Sequence, residues 1–523
     1  MLEKFYSGCI VFFAFTGLFG IYLGYSSALT PASSLAALVL SIILSVLSVR
    51  KEKGRKLYLA PAAIFLSSLV FLVAVSMPYL VFPHGAGDFH NTARNIRLIQ
   101  VSHSINPGGV QPQMAYGVGA IFYGLIGNLF VSISVLMILL QAISVLGVYY
   151  ISERVLGKRA AAIAALIYGF ALTNMFFIEQ GYLPHLFAQF FFISSVYFYL
   201  KRRLAPLVLS NIGVASYPPY FFVYMVFVLL SLLRERRIRI MLPPIAAILV
   251  AFPETIRFVA NLGAHTAAQE IPFRGLFLAK GGILLPPYLS LAVFIFAIYG
   301  VYQAFRKKEA AMLNVLFAAL AFTFLVVLAF GYVFLSGISG DIRLLYLAGK
   351  VSYLSVFPLS VFAAAGIMRL VKDKRLIPGI LLLYVIFTLG YAAFVLPAKA
   401  NFPGNFYYAT ERLYGISENS TIGLDADLIN NAGWVQGFPY NPMIDIPDTG
   451  YANGTVALEE AARIFQTGNR MIIYSGGVPH LVDSSGNDVI KYNDMDADYY
   501  VTRSALDKRI LINEGDIFIY STG

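Results

Sequence analysis

The sequence predicts a polytopic α-helical membrane protein of about 13 transmembrane helices, followed by a C-terminal extracytoplasmic mixed α/β domain. Three observations lead there. Of 523 residues, 59% are hydrophobic and only 12% charged, about half the charge of an ordinary soluble domain. Uncharged apolar runs near ~20 residues, enough for a helix to cross a bilayer core, recur as far as Pro397. The charge is also divided: up to Pro397 there are 30 Lys and Arg against 11 Asp and Glu, and from Ala398 onward 8 against 16. A basic membrane part and an acidic tail are two domains, and the basic part suits anionic lipid, not nucleic acid. A large soluble helical protein would not keep so many uncharged spans.

The basic residues themselves are clustered, in RKEKGRK (Arg50 to Lys56), ERVLGKR (Glu153 to Arg159), KRR (Lys201 to Arg203), RERRIR (Arg234 to Arg239), RKK (Arg306 to Lys308) and VKDKR (Val371 to Arg375). With Lys4 and Arg369 these hold 23 of the 30 basic residues before Ala398. The positive-inside rule therefore places the clusters in the cytoplasm. Spans read between them run near Tyr6 to Ala28, Leu35 to Val49, Leu57 to Phe82, Asn128 to Ser152, Ala160 to Ile178, Leu186 to Leu200 and Leu204 to Ser216. Further spans follow near Pro219 to Leu233, Ile240 to Pro253, Pro286 to Phe305, Ala310 to Leu335, Val351 to Met368 and Leu376 to Pro397. The glycine-rich segment Gln113 to Gly127 reads as an interfacial or re-entrant helix, because one more crossing there would turn every later cluster outward.

This order divides the chain into residues 1–56, two N-terminal helices and a basic loop, and 57–397, the main membrane domain with a large first outer loop over 83–127. Residues 398–523 form the acidic extracytoplasmic domain. The N terminus is then cytoplasmic, and Asp88, Glu179, Glu254, Glu270, Asp341 and all six histidines fall outside. Thr30, Pro31 and Ala32 lead straight into a second apolar run, so the opening segment reads as a retained signal anchor. Cys9 is the only cysteine and lies in the first span, which excludes disulfides, thiolate zinc sites and thiol catalysis.

From Ala398 the pattern shifts to short β-rich runs: STIGLDADL, GTVALEEAARIF, RMIIYSGG, ADYYVTRSAL and DIFIYSTG. Leu458 to Phe465 reads as a helix between strands. The sequons at Asn419 and Asn453 lie on the glycosylation-accessible side. Asp425 and Asp427, and Asp494, Asp496 and Asp498, have calcium-ligand chemistry, but a solvated acidic face explains them better.

The first outer loop gathers Asp88, His84, His90, Arg94 and Arg97 in one polar segment. If Thr92 to Ser102 is helical, Arg94 and Arg97 share a face and can both meet a phosphate. The plainer reading makes Asp88 the N-cap of that helix and gives the arginines to lipid headgroups. No HxxxH or HExxH spacing links His84, His90, His103 and His185, so interfacial hydrogen bonding fits them better than zinc. SYPPY (Ser216 to Tyr220) reads as a break in a membrane helix pair near the outer surface, where paired prolines either shape a substrate cavity or make a simple turn between two short spans.

A resemblance appears in the order along the chain. A span, then GDFHNTARNIRLIQ, then INPGGVQPQMAYGVGAIFYGLIG, then a long span closing on ERVLGKRAAAIAALIYGF resembles the opening of the GT-C superfamily of lipid-dependent glycosyltransferases. That superfamily includes protein mannosyltransferases, aminoarabinose transferases of lipid A and oligosaccharyltransferases. The resemblance covers about Leu57 to Pro397. AYGVG stands where many members have Tyr-Pro-Pro, and one acid stands where many have two.

The resemblance implies a sugar taken from a polyprenyl- or dolichyl-phosphate donor and passed to a protein, glycolipid or cell-surface polysaccharide, with Asp88 as general base. A carboxylate is already ionised at neutral pH and accepts the acceptor's proton without a metal. Cations are needed because the departing lipid phosphate gains negative charge. Arg94, Arg97, Arg274, Arg343 and Lys350 are the candidates, with His90, Glu179 and His185 completing the substrate-binding set. No cofactor is required; a divalent cation is the alternative role for Glu179. A single membrane and an outward C terminus fit the plasma membrane of a prokaryote, the eukaryotic equivalent being the endoplasmic reticulum with its lumen as the outer side. Two other classes compete: a transporter or lipid flippase, which would carry mid-membrane ionisable groups and an internal repeat, and a catalytically inactive GT-C-like scaffold. No phosphate-binding loop or Ser/His/Asp order stands out.

Overall fold

The computed structural model describes residues 1–50, 59–76, most of 92–105, 113–171, 174, 177–178, 181–236, 238–250, 291–307, most of 312–318, 353–395 and seven short strands between 422 and 521. The helices are α1 (Leu2–Tyr25), α2 (Pro31–Arg50), α3 (Leu59–Ser76), α4 (Gln113–Ile126), α5 (Leu129–Leu156), α6 (Lys158–Gly169), α7 (Leu183–Lys201), α8 (Leu204–Ala215), α9 (Pro218–Glu235), α10 (Leu291–Lys307), α11 (Val356–Leu370) and α12 (Leu376–Val395). Six described helices are long and apolar enough to cross a bilayer: α1, α2, α5, α7, α9 and Tyr353–Leu370, which contains α11. Shorter apolar helices, among them Leu59–Ala74, Leu204–Ala215, Arg239–Val250, Val293–Arg306 and Leu376–Gly390, occupy the places of further spans. The protein is a polytopic helical membrane protein.

Local chemistry sets the helix ends. Asn128 caps α5, its Oδ1 accepting from the Val131 amide at 3.1 Å, and two prolines open α9 after an extended Tyr217. Arg202 and Arg236 take left-handed conformations just past α7 and α9. Lys374 Nζ donates to the Met368 and Val371 carbonyls near the end of α11. Basic residues at C-terminal ends face the negative pole of each helix.

Lipid is as apolar as leucine, so close contact and interhelical hydrogen bonds hold such a bundle together. α5 is buried along most of its length and packs against α1, α3, α4, α6, α7 and α11. α1 crosses α4 with Gly20 against Gly117, where an added Cβ on Gly20 would lie 2.9 Å from the Gly117 carbonyl carbon. Gly300 and Gly366 bring the backbones of α10 and α11 together in the same way. Tyr6 Oη and Ser194 Oγ share a hydrogen bond of 3.1 Å, Gln189 Nε2 donates to Tyr168 Oη at 2.6 Å, and Tyr384 Oη donates to the Ile167 carbonyl at 3.0 Å. α2 and α12, by contrast, expose rows of Leu, Ile and Val, such as Val39, Ile43 and Val46, as lipid-facing helices do.

Two elements refine the sequence reading. The span expected from Ala160 to Ile178 is interrupted: α6 ends at Gly169, Asn174, Phe177 and Ile178 are helical again, and Asn174 Nδ2 donates to the Tyr168 carbonyl across the break. α4 covers the segment expected to be interfacial or re-entrant. Its 14 residues rise only about 21 Å, short of the ~30 Å hydrocarbon core, and Met114, Val118 and Ile121 are fully buried.

The bundle has two chemically different ends. At one, Lys201 Nζ pairs with Glu3 at 2.7 Å, Tyr199 Oη donates to Glu235 at 2.7 Å and Arg369 donates to Gln303 at 3.1 Å. Several basic clusters, far apart in sequence, thus share this end.

In the tail, β1 (Ile422–Asp425), β2 (Ile472–Ser475), β3 (Val478–Val482), β4 (Asp488–Lys491), β5 (Tyr499–Thr502), β6 (Ile510–Glu514) and β7 (Ile517–Ser521) form one sheet in the order β4-β3-β2-β1-β5-β7-β6. β1 pairs in parallel with β2 and β5, and the other pairs are antiparallel. Parallel neighbours need a crossover connection. Residues 426–471, which include the expected helix Leu458 to Phe465, lie outside the described residues.

Candidate functional site

The end of the bundle away from the basic clusters is built where four loop segments meet. The first is the helical stretch around 92–100, in which Thr92, Ala93, Asn95, Ile96, Arg97 and Ile99 are buried. Ile96 packs into the space that a side chain at Gly119 of α4 would need, with Leu183 of α7 beside it. Thr92 Oγ1 donates to the Gly181 carbonyl at 2.9 Å, tying this stretch to the loop before α7. Gly181 takes a positive φ of 66° there, a conformation that glycine adopts without strain.

His185, in the first turn of α7, joins the remaining segments. It is buried, and its Nε2 lies 3.0 Å from Tyr217 Oη. Phe177 stacks on the imidazole at 6.1 Å between centroids, and Tyr182, Tyr217 and Tyr220 lie at 5.4, 4.6 and 5.9 Å. Phe177 also meets Tyr353, just ahead of α11, edge to face at 5.1 Å. SYPPY therefore does more than break a helix: Pro218 and Pro219 start α9, and the tyrosines on either side of them pack on His185.

The segment that ends at Ile105 is anchored from its other side too. Leu29 and His103 exchange hydrogen bonds, the Leu29 amide donating to the His103 carbonyl at 3.3 Å and His103 Nδ1 lying 3.0 Å from the Leu29 carbonyl. The Ile105 amide donates to the Gly24 carbonyl at 3.1 Å.

This architecture is shared with a solved structure. Apo ArnT from Cupriavidus metallidurans matches with a TM-score of 0.51 over 87% of this chain and 98% of that one, at 11% sequence identity. The chain has a GT-C fold. The apo oligosaccharyltransferase of Archaeoglobus fulgidus matches with a TM-score of 0.46, 13% identity and coverage of 80% of this chain and 70% of that one. The archaeal oligosaccharyltransferase AglB of the same organism, in complex with an inhibitory peptide and a dolichol-phosphate, gives 0.44, 14%, 78% and 69%. No family model matches the chain, and no curated protein matches it by sequence.

On this GT-C fold, the structure places two of the residues singled out from the sequence, Arg97 and His185, in the loop junction. Asp88, His90, Arg94, Glu179, Arg274, Arg343 and Lys350 lie outside the described residues. Among the described residues, no three of His, Cys, Asp and Glu come together as metal ligands. Arg97 is 7% exposed. A guanidinium held this deep at the mouth of a membrane bundle has the planar, multi-donor geometry that receives phosphate oxygens. His185, enclosed by rings, positions loops. Sequence reasoning did not single out Thr92, Phe177, Tyr182 or Tyr353, whose contacts join distant segments and leave no local pattern.

Proposed function

We propose that the protein is a membrane glycosyltransferase that moves a sugar from a polyprenyl- or dolichyl-phosphate donor to a protein, glycolipid or cell-surface polysaccharide acceptor on the extracytoplasmic side of a prokaryotic plasma membrane. Fold alone does not fix function. What carries the reading is the sequence order GDFHNTARNIRLIQ on a GT-C fold, with the helical stretch that follows Asp88 locked into the loop junction and carrying the buried Arg97.

In this reading an acceptor hydroxyl oxygen attacks the anomeric carbon of the sugar and its proton passes to the Asp88 carboxylate. The bond from that carbon to the lipid phosphate breaks, and its electron pair stays on the phosphate. Arg97 and Arg94 offset the charge that develops there, while Arg343, Lys350 and Arg274 are the other cations available to the donor. His90 and Glu179 belong to the substrate-binding set, and His185, enclosed by rings, acts on the substrate only by positioning the loops around it. No step is assigned to a metal.

Transfer of radiolabelled sugar from a panel of lipid-phosphate donors, in membranes holding the parent protein or Asp88→Asn, tests this. Loss of a general base lowers the rate by about 10²–10⁴-fold. Undiminished transfer by folded Asp88→Asn removes that residue from catalysis, and no transfer from any donor by the parent refutes the transferase reading.

A further inference from the structure

The helical stretch that carries Arg97 meets the bundle through an apolar face and the buried hydroxyl of Thr92. Ala93, Ile96 and Ile99 are buried, with Ile96 packed over Gly119 of α4 beside Leu183 of α7. Apolar burial is non-directional, so by itself it lets a short helical stretch slide or roll along that wall. The Thr92 hydroxyl supplies a direction. It is fully buried, and its hydrogen bond of 2.9 Å runs to the Gly181 carbonyl.

Gly181 is held in turn by its own neighbours. Its carbonyl also accepts from the Leu183 amide at 2.7 Å, its amide donates to the Ile178 carbonyl at 3.2 Å, and the Tyr182 amide donates to the Phe177 carbonyl at 2.9 Å. A carbonyl oxygen has two lone pairs, and here one serves the entry to α7 and the other serves Thr92. Through this oxygen the Arg97 stretch is registered to the turn whose Phe177 stacks on His185.

The register decides where Arg97 points. At about 100° per helical residue, Ile96 lies roughly 40° around the stretch from Thr92, on the same face, and Arg97 about 140° around. With Thr92 on Gly181 and Ile96 over Gly119, Arg97 leaves the stretch on the side turned from both contacts. A roll by one residue would swing it through about 100°.

We propose that Thr92 is a positioning residue for sugar transfer: its hydrogen bond to Gly181 sets the rotation of the stretch and so aims Arg97 at the phosphate of the donor. The catalytic consequence rests on the transferase reading, whereas the orientation of Arg97 does not.

The test compares the full chain with Thr92→Val and Thr92→Ala, which delete the hydroxyl with and without keeping the shape, and with Thr92→Ser, which retains it. One readout needs no transfer: the rate at which phenylglyoxal modifies Arg97, resolved by peptide mass spectrometry. The other is steady-state transfer per folded molecule, from the lipid-phosphate donor that the parent uses. Thr92→Val is expected to speed modification of Arg97 about 10-fold, because local opening is easier by one hydrogen bond. It is also expected to lower kcat about 10–100-fold with the KM for the acceptor unchanged, and Thr92→Ser to match the parent in both readouts. A threonine that only stabilises the fold would reduce the yield of folded protein and leave kcat per folded molecule in place, and that result would overturn the proposal. So would unchanged modification of Arg97 in the valine and alanine variants, or faster modification with undiminished transfer. If the parent transfers no sugar from any donor, the transferase reading fails and positioning for transfer fails with it, while Arg97 modification still decides whether Thr92 orients that residue.

Discussion

Between His185 and Tyr217, one hydrogen bond and one ring contact join α7 to the start of α9 at the loop junction. Replacing Tyr217 by Phe keeps the ring and deletes the hydroxyl that faces Nε2 of a buried imidazole. The expected cost is about 1–3 kcal/mol, read as a lower melting temperature in detergent. A double-mutant cycle with His185→Phe isolates the pair: a coupling of roughly 0.5–3 kcal/mol is expected, and strictly additive losses would show that the bond contributes nothing. His185 was legible in the sequence as a polar residue in an outer loop, and Tyr217 as part of a proline-centred break. That the two meet was not, because an aromatic contact across thirty positions leaves no periodicity. Arg97 shows the same divide. Its place on a helical stretch was readable, but its burial is set by Ile96 and Thr92 docking on α4 and on the loop before α7.

Helices meet closely here where glycine permits, and the structure separates glycines under pressure from glycines with room. A Cβ on Gly20 would press on the Gly117 backbone at 2.9–3.1 Å, and backbone cannot rotate away. Gly20→Ala should therefore force α1 from α4 and destabilise by about 1–3 kcal/mol. Gly379 in α12 has nothing within 4 Å of its Cβ position, so Gly379→Ala should be neutral or stabilise by up to about 1 kcal/mol through helix propensity. Equal melting temperatures for the two variants would refute a packed α1–α4 crossing. Boundaries such as Pro31–Arg50 and Leu204–Ala215 fall within a few residues of the sequence reading because caps, prolines and basic clusters are local signals. Within the tail, β1, β2, β5 and β7 lie in runs read as strands, whereas β3, β4 and β6 were not read. β3 contains Pro479, which argues against an interior strand, yet it pairs on both sides, with Pro479 opposite Tyr474 of β2.

At the scale of the whole molecule, the proposed function depends on which end of the bundle faces outward. Sequence supplied an asymmetry of charge, the structure brings the separated basic clusters to one end and the loop segments to the other, and single cysteines read which end faces which side of the membrane. Cys9 is the only native one and lies partly buried in α1, so a Cys9→Ser background leaves a clean reporter. Ser27 is exposed in the turn after α1, next to the Leu29–His103 contact. Lys372 is exposed in the turn between α11 and α12, at the basic end. If the positive-inside rule governs insertion, a membrane-impermeant maleimide added to intact cells should label Ser27→Cys and should reach Lys372→Cys only after permeabilisation. The opposite pattern would put the loop junction in the cytoplasm, where extracytoplasmic transfer is excluded. Labelling of both from one side would contradict the two-ended bundle itself, since α1 and α11 each run from one end to the other.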